Sequence, residues 1–341
     1  MAKIALAIHG GAGTILRSQM TPALEAEYRN GLETALKIGW NILVKGASSL
    51  DAVEATVCSL EDFPLFNAGR GAVFTHEGKV ELDAAIMDGK KLRAGAVTFV
   101  KNIKNPVKLA RLVMERTEHI LLAGEGANQF AEQMGVKAEP DEYFFTEHRW
   151  LQLQQAIADG RIQLDHSIGK GETESEKPET RAAGSVSSEM AETRPVWSVP
   201  SSKPKPIGTV GAVACDSNGS LAAATSTGGM TNKKFGRIGD TAIIGAGTYA
   251  DNVCAVSCTG HGEYFMLGVT AYDVAARMEY KGLSLEDAAK ETIDHLSKIN
   301  GEGGLIAVDS AGNVTLPFNS DGMYRGSIHS DGEISIEIYG K

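Results

Sequence analysis

No uninterrupted apolar run in these 341 residues approaches the roughly 20 residues that a membrane span requires. Residues 1–8 lead straight into His9-Gly10-Gly11, without the apolar core or cleavage site of a secretory signal, so the expected compartment is the cytosol. Only four cysteines occur (Cys58, Cys215, Cys254 and Cys258), and none forms a C-x-x-C pair, so neither a disulfide framework nor a zinc site is signalled. Lys and Arg (33) are outnumbered by Asp and Glu (43), giving a formal net charge of -10, and no basic run appears. That balance argues against nucleic acid or an anionic membrane as partner. H-E-x-x-H, EF-hand and P-loop patterns are missing, and so is the G-x-S-x-G elbow that would have to accompany His9-Gly10-Gly11 in a lipase-like oxyanion loop; on that ground His9 reads as structural.

Abundance lies in small residues. The 39 glycines suggest tight turns and sites lined by backbone. Residues 3–8 read as a buried strand feeding a glycine loop at 9–13. Thr21-Pro22 is an N-cap followed by a first-turn proline, and Leu24, Tyr28, Leu32, Leu36 and Leu43 then share a helical face. A second helix is expected from Ser49 to before Pro64, and a third from Asn105-Pro106 with Val107, Ala110, Val113 and Met114 inward, with strands at 80–88 and 92–100 between them. From about 166 to 206 the chain turns to Gly, Ser, Glu, Thr and Pro with few aliphatics, the composition of a disordered linker. Two strand-turn-strand units come after it at 212–219 and 305–312, each with an Asp-to-Gly turn, and helices are expected at 263–280 and 284–299, the second opened by Ser284 and Asp287 as an approximate capping box. Strands alternating with helix pairs fit packed sheets flanked by helices, an α+β arrangement whose layer count the pattern leaves open.

The chemistry concentrates around Thr209. It follows Gly208 and opens the strand Thr209-Val210-Gly211-Ala212-Val213-Ala214. If the bond before it were cut, its hydroxyl would share a residue with a free α-amine, which titrates near ~8 and can serve as base. Downstream lie Thr225-Ser226-Thr227-Gly228-Gly229-Met230-Thr231-Asn232, Arg237-Ile238-Gly239-Asp240 and Thr259-Gly260-His261-Gly262-Glu263, loops that expose hydroxyls and backbone N–H groups together. Singly, each reads more readily as an ordinary turn, since Gly/Thr/Ser clusters mark loops far more often than sites. The run Gly245-Ala246-Gly247-Thr248-Tyr249-Ala250, after an apolar stretch from Ala242, matches a dinucleotide fingerprint nominally. Residues 251–258 read as another strand, whereas the fingerprint needs a helix opening on the phosphate.

In order along the chain, His9-Gly10-Gly11-Ala12-Gly13, Phe66-Asn67-Ala68-Gly69-x-Gly71, Gly208-Thr209-Val210-Gly211-Ala212-Val213-Ala214, 225–233, Gly236-Arg237-x-Gly239-Asp240 and Thr259-Gly260-x-Gly262-Glu263 resemble the plant-type L-asparaginase/isoaspartyl peptidases. The resemblance implies a four-layer αββα sandwich of the N-terminal-nucleophile hydrolase type. It implies self-cleavage at Gly208-Thr209 into an α subunit (1–208) and a β subunit (209–341), together one folded domain, and an (αβ)2 assembly. By the same resemblance, Thr209 is the nucleophile, Thr227 orients it, Asn67 helps fix its surroundings, and Thr259 and Gly260 form the oxyanion hole. Arg237 clamps the substrate α-carboxylate and Asp240 its α-ammonium, with Ile238, Gly239, Thr259, Gly260, His261 and Gly262 around them. No catalytic cofactor is implied. Residues 60–70 resemble a structural sodium loop, with the backbone carbonyls of Leu60, Glu61, Phe63, Phe66, Ala68 and Arg70 as ligands. The expected activity is hydrolysis of β-aspartyl dipeptides and L-asparagine, with the leaving-group preference left open. The rivals are a glycosylasparaginase-like amidase, whose precursors usually carry Asp where this chain has Gly208, a threonine protease, and an uncleaved amino-acid-binding scaffold. Lys234-Phe235, a bulky rim before Gly236, and His261 depart from the family pattern without removing a catalytic role.

Overall fold

The computed structural model of the chain describes residues 3–160 and 208–340, so the linker expected at 166–206 lies outside the described residues. Strand β1 (Ala5–Gly13) is longer than the sequence suggested. It continues through the His-Gly-Gly-Ala-Gly run that was expected to be a loop, because a register shift between His9 and Gly11, with Gly11 at φ 117°, bends the strand while its pairing persists. Helix α1 (Pro22–Val44) starts where Thr21 Oγ1 accepts the Leu24 N–H, and α2 (Ser49–Glu61) starts where Ser48 accepts from Asp51. The hairpin β2 (Leu82–Asp88) and β3 (Arg93–Val100) precedes α3 (Pro106–Arg116), whose Val107, Ala110, Val113 and Met114 are buried as expected. A stretch without a clear sequence pattern then forms β4 (Leu121–Ala123), α4 (Gly124–Gln133), α5 (Asp141–Phe144) and α6 (Glu147–Ala158).

After the undescribed segment come β5 (Val210–Cys215), β6 (Leu221–Thr227), β7 (Thr248–Ala250) and β8 (Cys254–Gly260). Only the last three residues of the apolar stretch 242–250 are strand, and β8 comes next without a helix between, so nothing there can cradle a dinucleotide phosphate. The helix expected over 263–280 is two helices, α7 (Gly262–Gly268) and α8 (Thr270–Lys281). Val269 breaks it in a left-handed conformation (φ 47°), and the freed Ala271 and Tyr272 N–H groups donate to the Ala246 and Gly245 carbonyls. Helix α9 (Leu285–Lys298), capped by Ser284, leads to β9 (Gly303–Asp309), β10 (Val314–Thr315), β11 (Gly322–Ile328) and β12 (Ile334–Tyr339).

Eight strands form one sheet in the order β12-β11-β1-β5-β6-β2-β3-β4, and four form a second in the order β10-β9-β8-β7. Strand alternation sorts the core into three layers. Leu6, Ile8, Ala212, Ala214 and Ala224 face α1–α3, while Ala5, Ala7, Val213 and Ala223 meet Ala255, Ile306 and Val308 of the second sheet. On the far side, Cys254, Val256, Cys258 and Leu305 pack against α7–α9. The result is an α+β sandwich of four layers, αββα. The cysteines are free thiols, three buried in strands and Cys58 half-buried on α2. Among the described residues no helix is long and apolar enough to cross a membrane. Thr209 immediately precedes β5, which lies between β1 and β6, so the candidate nucleophile sits at the tip of an interior strand.

Close packing of α1 on α2 predicts a measurable asymmetry between two glycines. A Cβ at Gly39 would lie 2.0 Å from Thr56 Oγ1 and 2.8 Å from a Leu6 methyl, whereas one at Gly126 in α4 meets nothing within 4 Å. Gly39→Ala is expected to destabilise by about 1–3 kcal/mol in denaturant unfolding. Gly126→Ala should be neutral or stabilise by up to about 1 kcal/mol. Equal effects of the two would show that the α1–α2 seam is not tightly packed.

Candidate active site

The ends of both sheets meet in a small open cleft lined by Asn67, Gly208, Thr209, Thr227, Arg237, Asp240, Thr259 and Gly260 among others. At its centre the Thr209 hydroxyl lies 3.1 Å from Thr227 Oγ1 at the end of β6. Thr227 Oγ1 also accepts the Gly229 N–H at 3.0 Å, so its position is fixed from two sides. Asn67 is buried and holds the turn behind Thr227: its Nδ2 donates to the Gly229 carbonyl, its carbonyl accepts the Gly228 N–H, and its Oδ1 accepts the Val73 N–H. Gly228 allows this, since a Cβ there would stand 2.6 Å from Asn67 Oδ1.

Thr259 and Gly260 close the opposite wall from the end of β8. Thr259 Oγ1 accepts the Ala12 N–H of β1 at 3.3 Å, and its own proton has no acceptor among the described residues. That leaves one donor for an oxygen in the cleft, the arrangement an oxyanion requires. Gly260 (φ 151°) is confined to glycine, because a Cβ would stand 2.4 Å from the Glu302 carbonyl.

The cleft's third side carries charge. Arg237 donates from Nε and Nη2 to Glu263 Oε1 and Oε2 at 2.9 and 2.8 Å, a bidentate pair. Burial pushes the Glu263 carboxyl up, but hydrogen bonds from His261 and Arg237 outweigh it and hold the group well below the usual carboxylate range. Asp240 is different. It is only 5% exposed, its Oδ2 has no hydrogen-bond partner among the described residues, and burial pushes its carboxyl up to about 6 against the pull of Arg237. An orphaned buried carboxylate beside a guanidinium is matched by a ligand that brings an ammonium to one and a carboxylate to the other. Gly239 and Gly262 make the room, since a Cβ at either would come within 2.9 Å of an Arg237 nitrogen. Ile238, His261 and Gly262 are not among the lining residues; His261 instead contacts Glu263 at 3.2 Å and sits edge-on to Tyr264.

The loop after α2 folds back on itself. Leu60, Phe63, Phe66 and Ala68 carbonyls each accept a backbone N–H within it, and the Glu61 and Phe66 carbonyls turn onto Gly69 and Gly71, where a Cβ would lie 2.5 and 2.1 Å away. Such a set of neutral carbonyls has the donor chemistry of a hard cation. The Arg70 side chain leaves the loop to lie over the Tyr143 ring. Glu61 is buried, its carboxyl pushed up to about 8 by that burial, and its Oε1 accepts the Val107 N–H at the start of α3.

Several participants escaped the sequence. Met230 and Thr241 line the cleft, and Glu263 occupies Arg237. His9, read as structural, reaches the Thr209 carbonyl with Nδ1 at 3.0 Å and Ser257 Oγ with Nε2 at 2.8 Å. Its place in the glycine motif was the available signal.

A family model described as Asparaginase matches residues 2–338. The isoaspartyl peptidase of Salmonella typhimurium is 48% identical over 327 residues, covering 95% of both chains. An isoaspartyl peptidase/L-asparaginase of Xenopus laevis is 41% identical over 339 residues (99% of this chain, 96% of the relative). A plant-type L-asparaginase of Pyrococcus horikoshii is 42% identical over 328 residues, 94% of each. The chain belongs to this asparaginase family of N-terminal-nucleophile hydrolases, and the αββα layering agrees.

The charge pattern makes a pH prediction. Asp240, its carboxyl pushed up to about 6, is ionised above that pH and neutral below it. Competitive inhibition by L-aspartate is therefore expected to weaken about tenfold per pH unit below 6. Asp240→Asn should bind weakly at all pH values and lose this dependence. An inhibition constant that stays flat between pH 7 and 5 in the unsubstituted protein would remove Asp240 from ammonium recognition.

Proposed function

We propose that the chain cuts itself between Gly208 and Thr209 and then hydrolyses β-aspartyl dipeptides and L-asparagine, releasing L-aspartate. The observation that carries this reading is the convergence, in one cleft, of the Thr209–Thr227 hydroxyl pair with the Arg237 and Asp240 charges. In the first stage Thr209 Oγ attacks the Gly208 carbonyl, the acyl group moves from nitrogen to oxygen and so frees the Thr209 α-amine, and water hydrolyses the resulting ester to release the Thr209 hydroxyl and the Gly208 carboxylate. Gly208, without a Cβ, leaves its carbonyl open to that attack.

In the second stage Arg237 and Asp240 hold the α-carboxylate and α-ammonium of the aspartyl half. To admit the carboxylate, Arg237 shares or exchanges its Glu263 partner. Thr209 Oγ attacks the side-chain carbonyl as its own α-amine takes the hydroxyl proton. The Thr259 hydroxyl and the Gly260 N–H receive the oxyanion. The tetrahedral intermediate expels ammonia or an amino acid, which takes the proton back from the amine. Water, deprotonated by the same amine, then hydrolyses the β-aspartyl ester. Every proton and electron pair in this sequence belongs to the chain, the substrate or water.

The carbonyl loop after α2 would take sodium through Leu60, Glu61, Phe63, Phe66, Ala68 and Arg70, a structural role that steadies Asn67 and with it the 227–229 turn. The cut enzyme is proposed to assemble as (αβ)2 and to work in the cytosol.

Intact mass and turnover test the proposal together. Purified protein should contain a fragment beginning at Thr209, and Thr209→Ala should remain uncut and lose activity entirely. Processing of Thr209→Ala at the same bond would overturn the mechanism. Arg237→Ala should raise KM for β-aspartyl dipeptides by about 10²-fold or more, the scale expected when a charge-assisted pair is lost. Unchanged kinetic constants would remove Arg237 from carboxylate recognition.

A further inference from the structure

We propose that His9 is a positioning residue for the nucleophile: a neutral imidazole that holds the Thr209 carbonyl and thereby sets where the Thr209 hydroxyl and α-amine point. The inference rests on the reading of Thr209 as nucleophile. His9 is fully buried on β1, on the face toward the second sheet, and its Nδ1 is 3.0 Å from the Thr209 carbonyl oxygen. A carbonyl only accepts, so Nδ1 carries the proton. In the neutral ring Nε2 must then accept, and Ser257 Oγ, 2.8 Å away, is its donor.

That assignment propagates. Ser257 gives its proton to His9 and takes one from Thr225, whose Oγ1 is 2.7 Å away; Thr225 in turn lies 2.7 Å from Thr248 Oγ1, which also reaches the Thr241 carbonyl at 3.0 Å. The chain of polar groups crosses from β1 to β8, β6 and β7, and the Gly247 carbonyl, 3.3 Å from Thr225 Oγ1, is a further acceptor in it. A charged ring would turn Ser257 toward Thr225 Oγ1, and Thr225 toward the Gly247 carbonyl. Burial keeps the ring neutral, lowering the His9 pKa to about 3.

A separate observation shows that space is reserved for this bond. Gly211, two residues beyond Thr209 on β5, faces the contact: a Cβ there would lie 2.0 Å from Ser257 Oγ and 2.4 Å from His9 Nε2. Any larger residue at 211 would displace the imidazole from the strand that presents the nucleophile. The same strand β1 supplies the Ala12 N–H that orients Thr259, so one element aligns the attacking hydroxyl and the oxyanion donor. Fixing the Thr209 carbonyl fixes rotation about its Cα–C bond. A misplacement of about 1 Å at a reacting group costs on the order of 10²-fold in rate.

The test compares His9→Leu, which has no donor, with His9→Asn, which places an amide N–H near the Nδ1 position. On matured enzyme, His9→Leu should lower kcat about 10²-fold with KM within about threefold of the parent, because Arg237 and Asp240 are untouched, and His9→Asn should recover to within about tenfold. A wild-type kcat in His9→Leu, or an equal loss in two folded variants, overturns the proposal. If His9→Leu does not fold, nitrogen NMR of the unsubstituted enzyme decides. It should show His9 neutral and protonated at Nδ1 from pH 5 to 8; a charged ring or the opposite tautomer overturns the proposal. Active material lacking a Thr209 amino terminus would sink the functional reading while leaving the tautomer result standing, so the two failures are distinguishable.

Discussion

The site depends on how closely the two sheets approach. Among Val213, Ile306 and Val308 in the layer between them, Ala5, Ala7, Ala223 and Ala255 each add only a methyl group, and Gly211 contributes no side chain at all. Large aliphatics there would bury more area, at about 25 cal/mol per Å², but would hold β1 and β5 away from β8. With the sheets this near, polar groups from four strands touch directly at the cleft end, and His9, Ser257, Thr225 and Thr248 satisfy one another without solvent. Buried polar groups that satisfy one another fully give a rigid arrangement instead of a penalty.

In the proposed function, charge recognition would follow a different logic at Arg237 and at Asp240. Arg237 already holds a carboxylate, so its guanidinium is aimed and desolvated before any ligand arrives. Asp240 has no such stand-in and keeps one oxygen unpaired. The first arrangement preorganises a donor fork, and the second leaves a free-energy deficit that an incoming cation would relieve.

Much of this was legible in the sequence because the signals were local. Thr21-Pro22, Ser48 and Ser284 begin helices where capping chemistry places them, and the ordered motifs around Thr209, Thr227, Arg237, Asp240 and Thr259 do converge on one cleft. What escaped was non-local or conformationally unusual. The His9–Thr209 contact joins residues 200 apart in number, and a histidine after an apolar run reads the same whether it packs or positions. Nothing in Gly268-Val269-Thr270 announces that a β-branched residue adopts φ 47°, since the break is fixed by carbonyls of the 245–246 loop. The glycines of β1 suggested a turn, while pairing with β11 on one side keeps the segment in the sheet. Helices α4 to α6 carry few buried positions, so their periodicity is weak.

The weave of the eight-stranded sheet has a consequence for the life of the protein. β5, β6, β11 and β12 come after Thr209 in the chain, β1 to β4 precede Gly208, and the seams β11–β1, β1–β5 and β6–β2 stitch the two groups together. Before scission these partners meet by loop closure within one polymer, whose entropic cost grows only slowly with length. After the proposed scission they would meet only by diffusion, and a melted molecule would have to find a second fragment at whatever concentration the solution provides. Scission would thus convert a reversible folding equilibrium into a bimolecular one, and the durability of the cut protein would be governed by how slowly its seams open.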